Sequence, residues 1–107
     1  MPELKVNAQL SDYQVYVAEL ERERGFFQQS TKDKCLLLGE EVGELFKAIR
    51  KIDGLAVDPN SNFGEVEDEI ADIFIYLCSI SNRLNIDIEK AFINKEIKNK
   101  KRKWKIL

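Results

Sequence analysis

The chain has 107 residues, 44% hydrophobic and 34% charged, with a net charge of −2. That length supports one domain, residues 1–107, with a single modest core, and the composition belongs to a folded protein rather than a disordered one. Histidine is absent and there is no glycine-rich phosphate loop, so Ser-His-Asp triads, histidine bases and histidine metal sites are excluded; any catalysis must run on carboxylates, lysines, hydroxyls or an oxygen-held metal.

The opening ten residues lack a signal-peptide pattern, and no apolar run approaches the roughly 20 residues that span a bilayer. The expected address is therefore cytoplasmic, with no membrane partner. Ser11 followed by Gln14 is a capping-box start and Gly25 a stop, which predicts a first helix over about 12–24. Thr31 or Asp33 caps a second helix, predicted over about 33–52 and ended by Asp53-Gly54. The stretch DGLAVDPNSNFG, residues 53–64, carries the Pro, Gly, Asn and Ser of a loop. Asn62, with Glu65 three residues on, caps a third helix over about 63–84. Asn85 or Asp87 opens a fourth, over about 87–103. No strand pattern intervenes, so the fold class is all-α, a four-helix bundle. Cys35 and Cys78 fall in apolar helical stretches and read as small buried hydrophobes.

One position resists that pattern. In EVEDEIADIFIYLCSI, residues 65–80, Asp72 interrupts an apolar run, and an unpaired buried carboxylate is costly. On a wheel of about 100° per residue, Leu38, Val42, Leu45, Phe46, Ile49 and Ile52 fill one arc of the second helix, with Glu41 and Glu44 at its edge. Val66, Ile70, Ile73, Phe74, Leu77 and Ile80 fill the same arc of the third, with Glu69 and Asp72 at the matching edge. Antiparallel packing through these main faces brings four carboxylates together. Without a cation they repel, and at least one must take up a proton. An all-oxygen set with no histidine suits a hard divalent ion, Mg²⁺ or Mn²⁺ rather than Zn²⁺. A ferritin-like di-iron centre is the rival, but it uses Glu-x-x-His, and this chain has no histidine. The third helix also carries Ala71, Ile75 and Cys78 on its far side, which predicts cover there as well, by a second subunit. Tyr76, about one turn after Asp72, sits beside the acidic pair, the place of a core-edge tyrosine.

The fourth helix ends in a basic run. Residues 95–107 hold seven basic side chains and one acidic, a balance of +6, which leaves −8 for residues 1–94. This reads as a solvated helix end favoured by its dipole, or as a phosphate-binding face, rather than as a nucleic-acid site.

The ordered set of acidic motifs resembles the MazG-like family of all-α nucleotide pyrophosphohydrolases. The match comprises E-E-x-x-E in Glu40, Glu41 and Glu44, then E-x-x-D in Glu69 and Asp72, with 24 residues between Glu44 and Glu69. It continues through GEEVGELFKAI, EIADIFIYL and NIDIEKAF to K-x-x-x-N-x-x-R, formed by Lys95, Asn99 and Arg102. The resemblance implies hydrolysis of a nucleoside triphosphate, ribo or deoxy, to monophosphate and pyrophosphate, in the manner of a nucleotide-pool house-cleaning enzyme. It implies Glu41, Glu44, Glu69 and Asp72 as Mg²⁺ ligands, Glu40 as general base and Tyr76 as a substrate contact. Lys95, Asn99 and Arg102 share one helix face and can donate to phosphate, with Lys34 a further candidate. Family members often carry a base-stacking tryptophan before the second helix; here Phe26 and Phe27 stand in that region, Phe27 being the stacking candidate. The resemblance also implies a homodimer or homotetramer with sites completed across subunits. The alternative from another class is a non-catalytic helical interaction module whose acidic cluster is a structural ion site.

Overall fold

Helix boundaries follow the capping chemistry. In the computed structural model, which describes residues 1–54 and 65–103, α1 spans Leu10–Arg24, α2 Thr31–Ile52, α3 Val66–Arg83 and α4 Ile88–Lys100. No strand occurs among the described residues, and the all-α expectation holds. The first helix starts earlier than Ser11 predicts, because the Gln9 N–H donates to the Asp12 carboxylate at 2.9 Å and Gln9 becomes the cap. Ser30, not Thr31 or Asp33, caps α2. Its Oγ accepts from the Asp33 N–H at 3.1 Å while its own N–H donates to the Asp33 carboxylate at 3.0 Å, a reciprocal capping box. Asp87 caps α4 by accepting from the Lys90 N–H at 3.1 Å. The cap proposed at Asn62 lies outside the described residues; α3 is entered through Glu65.

Helices α2 and α3 form the central pair. Lys34 meets Tyr76, and Glu41, one heptad later, clusters with Glu69, one heptad before Tyr76, so the two run antiparallel. Their seam differs from the sequence expectation. On α2 the buried residues are Lys34 and Ala48, either side of Glu41 at steps of seven; on α3 their counterpart is the buried Glu69. The helices therefore meet along their acidic edges rather than through their main apolar arcs. The outer parts of those arcs stay open, with Phe46 60%, Ile52 72%, Ile70 54% and Leu84 53% exposed. Cys35, on the same arc of α2, is exposed too. The second cysteine behaves as expected: Cys78 has no exposed surface, and burial pushes its thiol up to about 11.

Helix α1 packs against α3, but of the far-side residues only Cys78 is buried; Ala71 and Ile75 stay exposed, leaving surface where the sequence suggests a second subunit. Tyr13 packs edge-on to Phe74 with ring centroids 5.7 Å apart, and Val17 and Leu20 join Cys78 and Ala48 as the buried apolar residues among those described. Gln14 fastens the turn between α3 and α4. Its amide donates to the Ile86 carbonyl at 2.8 Å and to Asn82 Oδ1 at 3.1 Å, and its Oε1 accepts from the Ile88 N–H at 3.0 Å. The turn needs such an anchor, because Asn85 takes a left-handed φ of 56° and the backbone there leaves helical pairing. Helix α4 rests on α1, away from the α2–α3 seam. The radius of gyration is 16.9 Å, against about 13 Å for a close-packed domain of this length.

Candidate metal centre and nucleotide cleft

Glu41 on α2 faces Glu69 and Asp72 on α3 because all three lie on the seam. One carboxylate oxygen from each falls within 4.8 Å of the others. Glu69 is only 7% exposed, while Glu41 and Asp72 are partly exposed. None of them makes an ion pair among the described residues. A buried carboxylate without a cation beside two others is an unfavourable arrangement that a divalent ion relieves. The oxygen-only donor set suits Mg²⁺ or Mn²⁺. Glu44, one turn beyond Glu41, pairs with Lys47 at 3.6 Å and adds to the repulsion felt by Glu41. Glu40 is exposed and close enough for its charge to reach Tyr76.

Burial is the main cause that pushes the Glu41 carboxyl up to about 7, followed by its hydrogen bond to Glu69 and by repulsion from Asp72, Glu69 and Glu44. This has a measurable consequence in the metal-free protein. Because the folded value lies above the ordinary 4.5, the folded state holds a proton that the unfolded chain has released. The resulting stabilisation is present below the unfolded value and is lost as pH rises through about 7. A shift of this size is worth about 3 kcal/mol unscreened, and about 1 kcal/mol once solvent screening at this partly exposed position is allowed for. The melting temperature in chelator is expected to fall by about 4–8 °C between about pH 5 and about pH 8. Glu41→Gln should flatten that slope; an unchanged slope would show that Glu41 is not the titrating group.

Beside the carboxylates opens a cleft of about 230 Å³. Glu41, Asp72 and Tyr76 line it from α2 and α3, Arg24 from the end of α1, and Phe26 from a 3₁₀ turn, Phe26–Gln28. Lys34 is 4% exposed, its ammonium 5.1 Å from the Phe26 ring centroid and 5.5 Å from that of Tyr76. Burial lowers its pKa, and the charge of Glu21 works against that shift. Tyr76 is raised, first by burial and then by the negative charge of Glu41 and Asp72.

Arg83 holds the wall of this cleft. It pairs with Glu21 at 2.6 Å and donates to the Phe26 and Gln29 carbonyls at 3.0 and 2.9 Å. It also donates to Ser79 Oγ at 2.6 Å. Three parts of the chain are thereby locked together: α1, the 3₁₀ turn and α3. Burial acts to raise the Glu21 carboxyl, but the hydrogen bonds from Arg83 and Ser79 and the Arg83 charge outweigh it and hold it below the usual range.

The structure thus brings together Glu41, Glu69, Asp72, Tyr76 and Lys34 from the sequence-derived set. Phe26 rather than Phe27 faces the cleft; Phe27 lies in a separate recess beside Ala18 and Asn82. Lys95 lines an apolar groove with Phe74, Leu77 and Phe92, not the cleft. Asn99 bonds Glu96 at 3.1 Å, near the end of α4, and Arg102 follows just past that helix. Sequence reading missed Glu21, Arg24 and Arg83. They lie within ordinary charged helical patterns; the Glu21–Arg83 pair and the carbonyls that Arg83 reaches at the 3₁₀ turn are more than 50 residues apart in the chain, and Arg24 faces an open cleft.

The comparisons with known proteins bear on the fold and the family. Two crystal structures of iMazG from Vibrio DAT 722, carrying the tag at either terminus, are each 29% identical to this chain with a TM-score of 0.64. Each alignment covers 86% of this chain and 98% or 94% of the other. No curated protein matches the chain. A family model, that of the MazG-like family, matches residues 34–107, the span that holds Glu41, Glu69 and Asp72. By that match the chain belongs to the MazG-like family.

Proposed function

We propose that the protein is a divalent-metal-dependent nucleoside triphosphate pyrophosphohydrolase, cleaving NTP or dNTP to the monophosphate and pyrophosphate and so clearing unwanted nucleotides. The observation that carries this reading is the convergence of Glu41, Glu69 and Asp72 at the edge of a cleft furnished with a buried lysine and two aromatic rings. Glu41, Glu69 and Asp72, with Glu44, would hold Mg²⁺ or Mn²⁺. When bound, such an ion neutralises phosphate charge, polarises the P–O bonds and lowers the pKa of a coordinated water.

The chain's own groups supply the rest. The Lys34 ammonium, kept dry between the Phe26 and Tyr76 rings, is placed to donate to a phosphate oxygen. Those ring faces offer surfaces against which a base can stack. Glu40, exposed beside the cluster, is the group available to accept a proton from attacking water. The apolar surface left open on α2 and α3 supports a homodimer or homotetramer, since a patch of this kind on a small helical chain marks an interface. Because α4 lies off the seam, Lys95, Asn99 and Arg102 would serve a site only through such an assembly. Pyrophosphate release from a panel of nucleoside triphosphates, with Mg²⁺ and with chelator, tests the reading. Metal-dependent release is expected. Metal binding without release from any nucleotide would leave a helical interaction module with a structural ion site.

A further inference from the structure

A polyphosphate chain is multiply charged, and it would enter this cleft beside Glu41, Glu44, Glu69 and Asp72. One divalent ion offsets only part of that charge, so a cation fixed in the cleft wall has work to do. Lys34 is partly committed, since Glu21 and two ring faces already share its charge. Arg24 is not. It lines the cleft from the last turn of α1, is exposed, and makes no ion pair among the described residues. Gly25 follows with a left-handed φ of 76°, a conformation that glycine adopts without strain. That turn sends the chain directly into Phe26, so Arg24 and Phe26 share one rim of the cleft.

Resting on the pyrophosphohydrolase reading above, we propose that Arg24 is a substrate-binding residue whose guanidinium takes the polyphosphate of the nucleotide from the α1 side of the cleft. An arginine suits this task because it stays protonated and its planar fork donates to two phosphate oxygens at once. The position lies before residues 34–107 and so outside the family match. The competing role is stabilisation of the α1 dipole by a cation in its last turn. Arg22 occupies that turn as well but does not line the cleft, so the two arginines separate the roles.

The test is calorimetric titration of inorganic tripolyphosphate into the Mg²⁺-loaded protein, alongside steady-state kinetics on the best nucleotide. Arg24→Gln is expected to weaken tripolyphosphate binding about tenfold or more and to raise KM more than it lowers kcat. Arg24→Lys should recover part of the loss. Arg22→Gln should bind as wild type does, with a melting temperature matching that of Arg24→Gln. Equal binding by the Arg24→Gln and Arg22→Gln variants, or no binding of tripolyphosphate by the wild type, overturns the assignment. Absence of nucleotide turnover in the wild type would instead remove the pyrophosphohydrolase reading, while the titration still decides what Arg24 binds.

Discussion

Glu69→Ala is expected to reduce Mg²⁺-dependent pyrophosphate release by roughly 100-fold or more, with the helical circular dichroism intact. The side chain is 7% exposed and sits within 4.8 Å of two other carboxylates, so it contributes little to the metal-free fold except repulsion. Removing it deletes a ligand at the cost of one carboxyl–carboxylate hydrogen bond, that with Glu41, and breaks no ion pair. Glu41→Ala, Glu44→Ala and Asp72→Ala should behave alike, and the isosteric Glu41→Gln should leave the metal-free protein more stable than wild type at about pH 8, since one source of repulsion is gone. Loss of activity with a gain in stability separates a functional site from a structural one. Wild-type turnover in these variants would end the assignment.

Arg83→Met should have the largest effect on stability, lowering the unfolding free energy by about 3–5 kcal/mol. Arg83 and Glu21 are 15% and 7% exposed in their side chains and 2.6 Å apart, so truncation strands a buried carboxylate. It also leaves the Phe26 and Gln29 carbonyls without their donor. For a domain whose total stability is about 5–15 kcal/mol, such a loss is a substantial fraction. The urea midpoint checks the magnitude. The double variant Arg83→Met with Glu21→Leu should recover much of the loss, because replacing both members of a buried pair is far less costly than removing one. A midpoint shift below about 1 kcal/mol in the single variant would show that the pair is solvent-screened and not a tie across three elements.

How far the sequence could be read depended on whether a signal was local. Helix existence was legible because propensity, caps and apolar spacing lie within a few residues of each other, and so were Glu41, Glu69 and Asp72, which a wheel places on matching edges. The seam itself was misjudged. A wheel ranks faces by hydrophobicity, and the apolar arcs outrank the acidic edges; yet Lys34, Glu41 and Ala48 meet α3, while Phe46 and Ile52 stay open. That ranking fails when part of the apolar surface has no partner within the chain. Cys35 follows from the same cause. Arg83 and Gln14 were illegible for a different reason: a polar residue in a helix looks the same whether it meets water or a carbonyl far along the chain. Helix boundaries moved by a few residues because Gln9 and Ser30 compete with nearby caps of similar chemistry.

The Gln14 anchor has a consequence for the order in which the molecule can assemble. Its three partners stand 68, 72 and 74 positions later, and the Glu21–Arg83 tie spans 62. During synthesis the amino-terminal helix is made first, yet these polar ties have no partners until residues 82–88 have left the ribosome. The central hairpin has both its rods well before the chain is finished. Closing so long a loop costs entropy before any bond repays it, so the earliest segment to be born is the last to be secured.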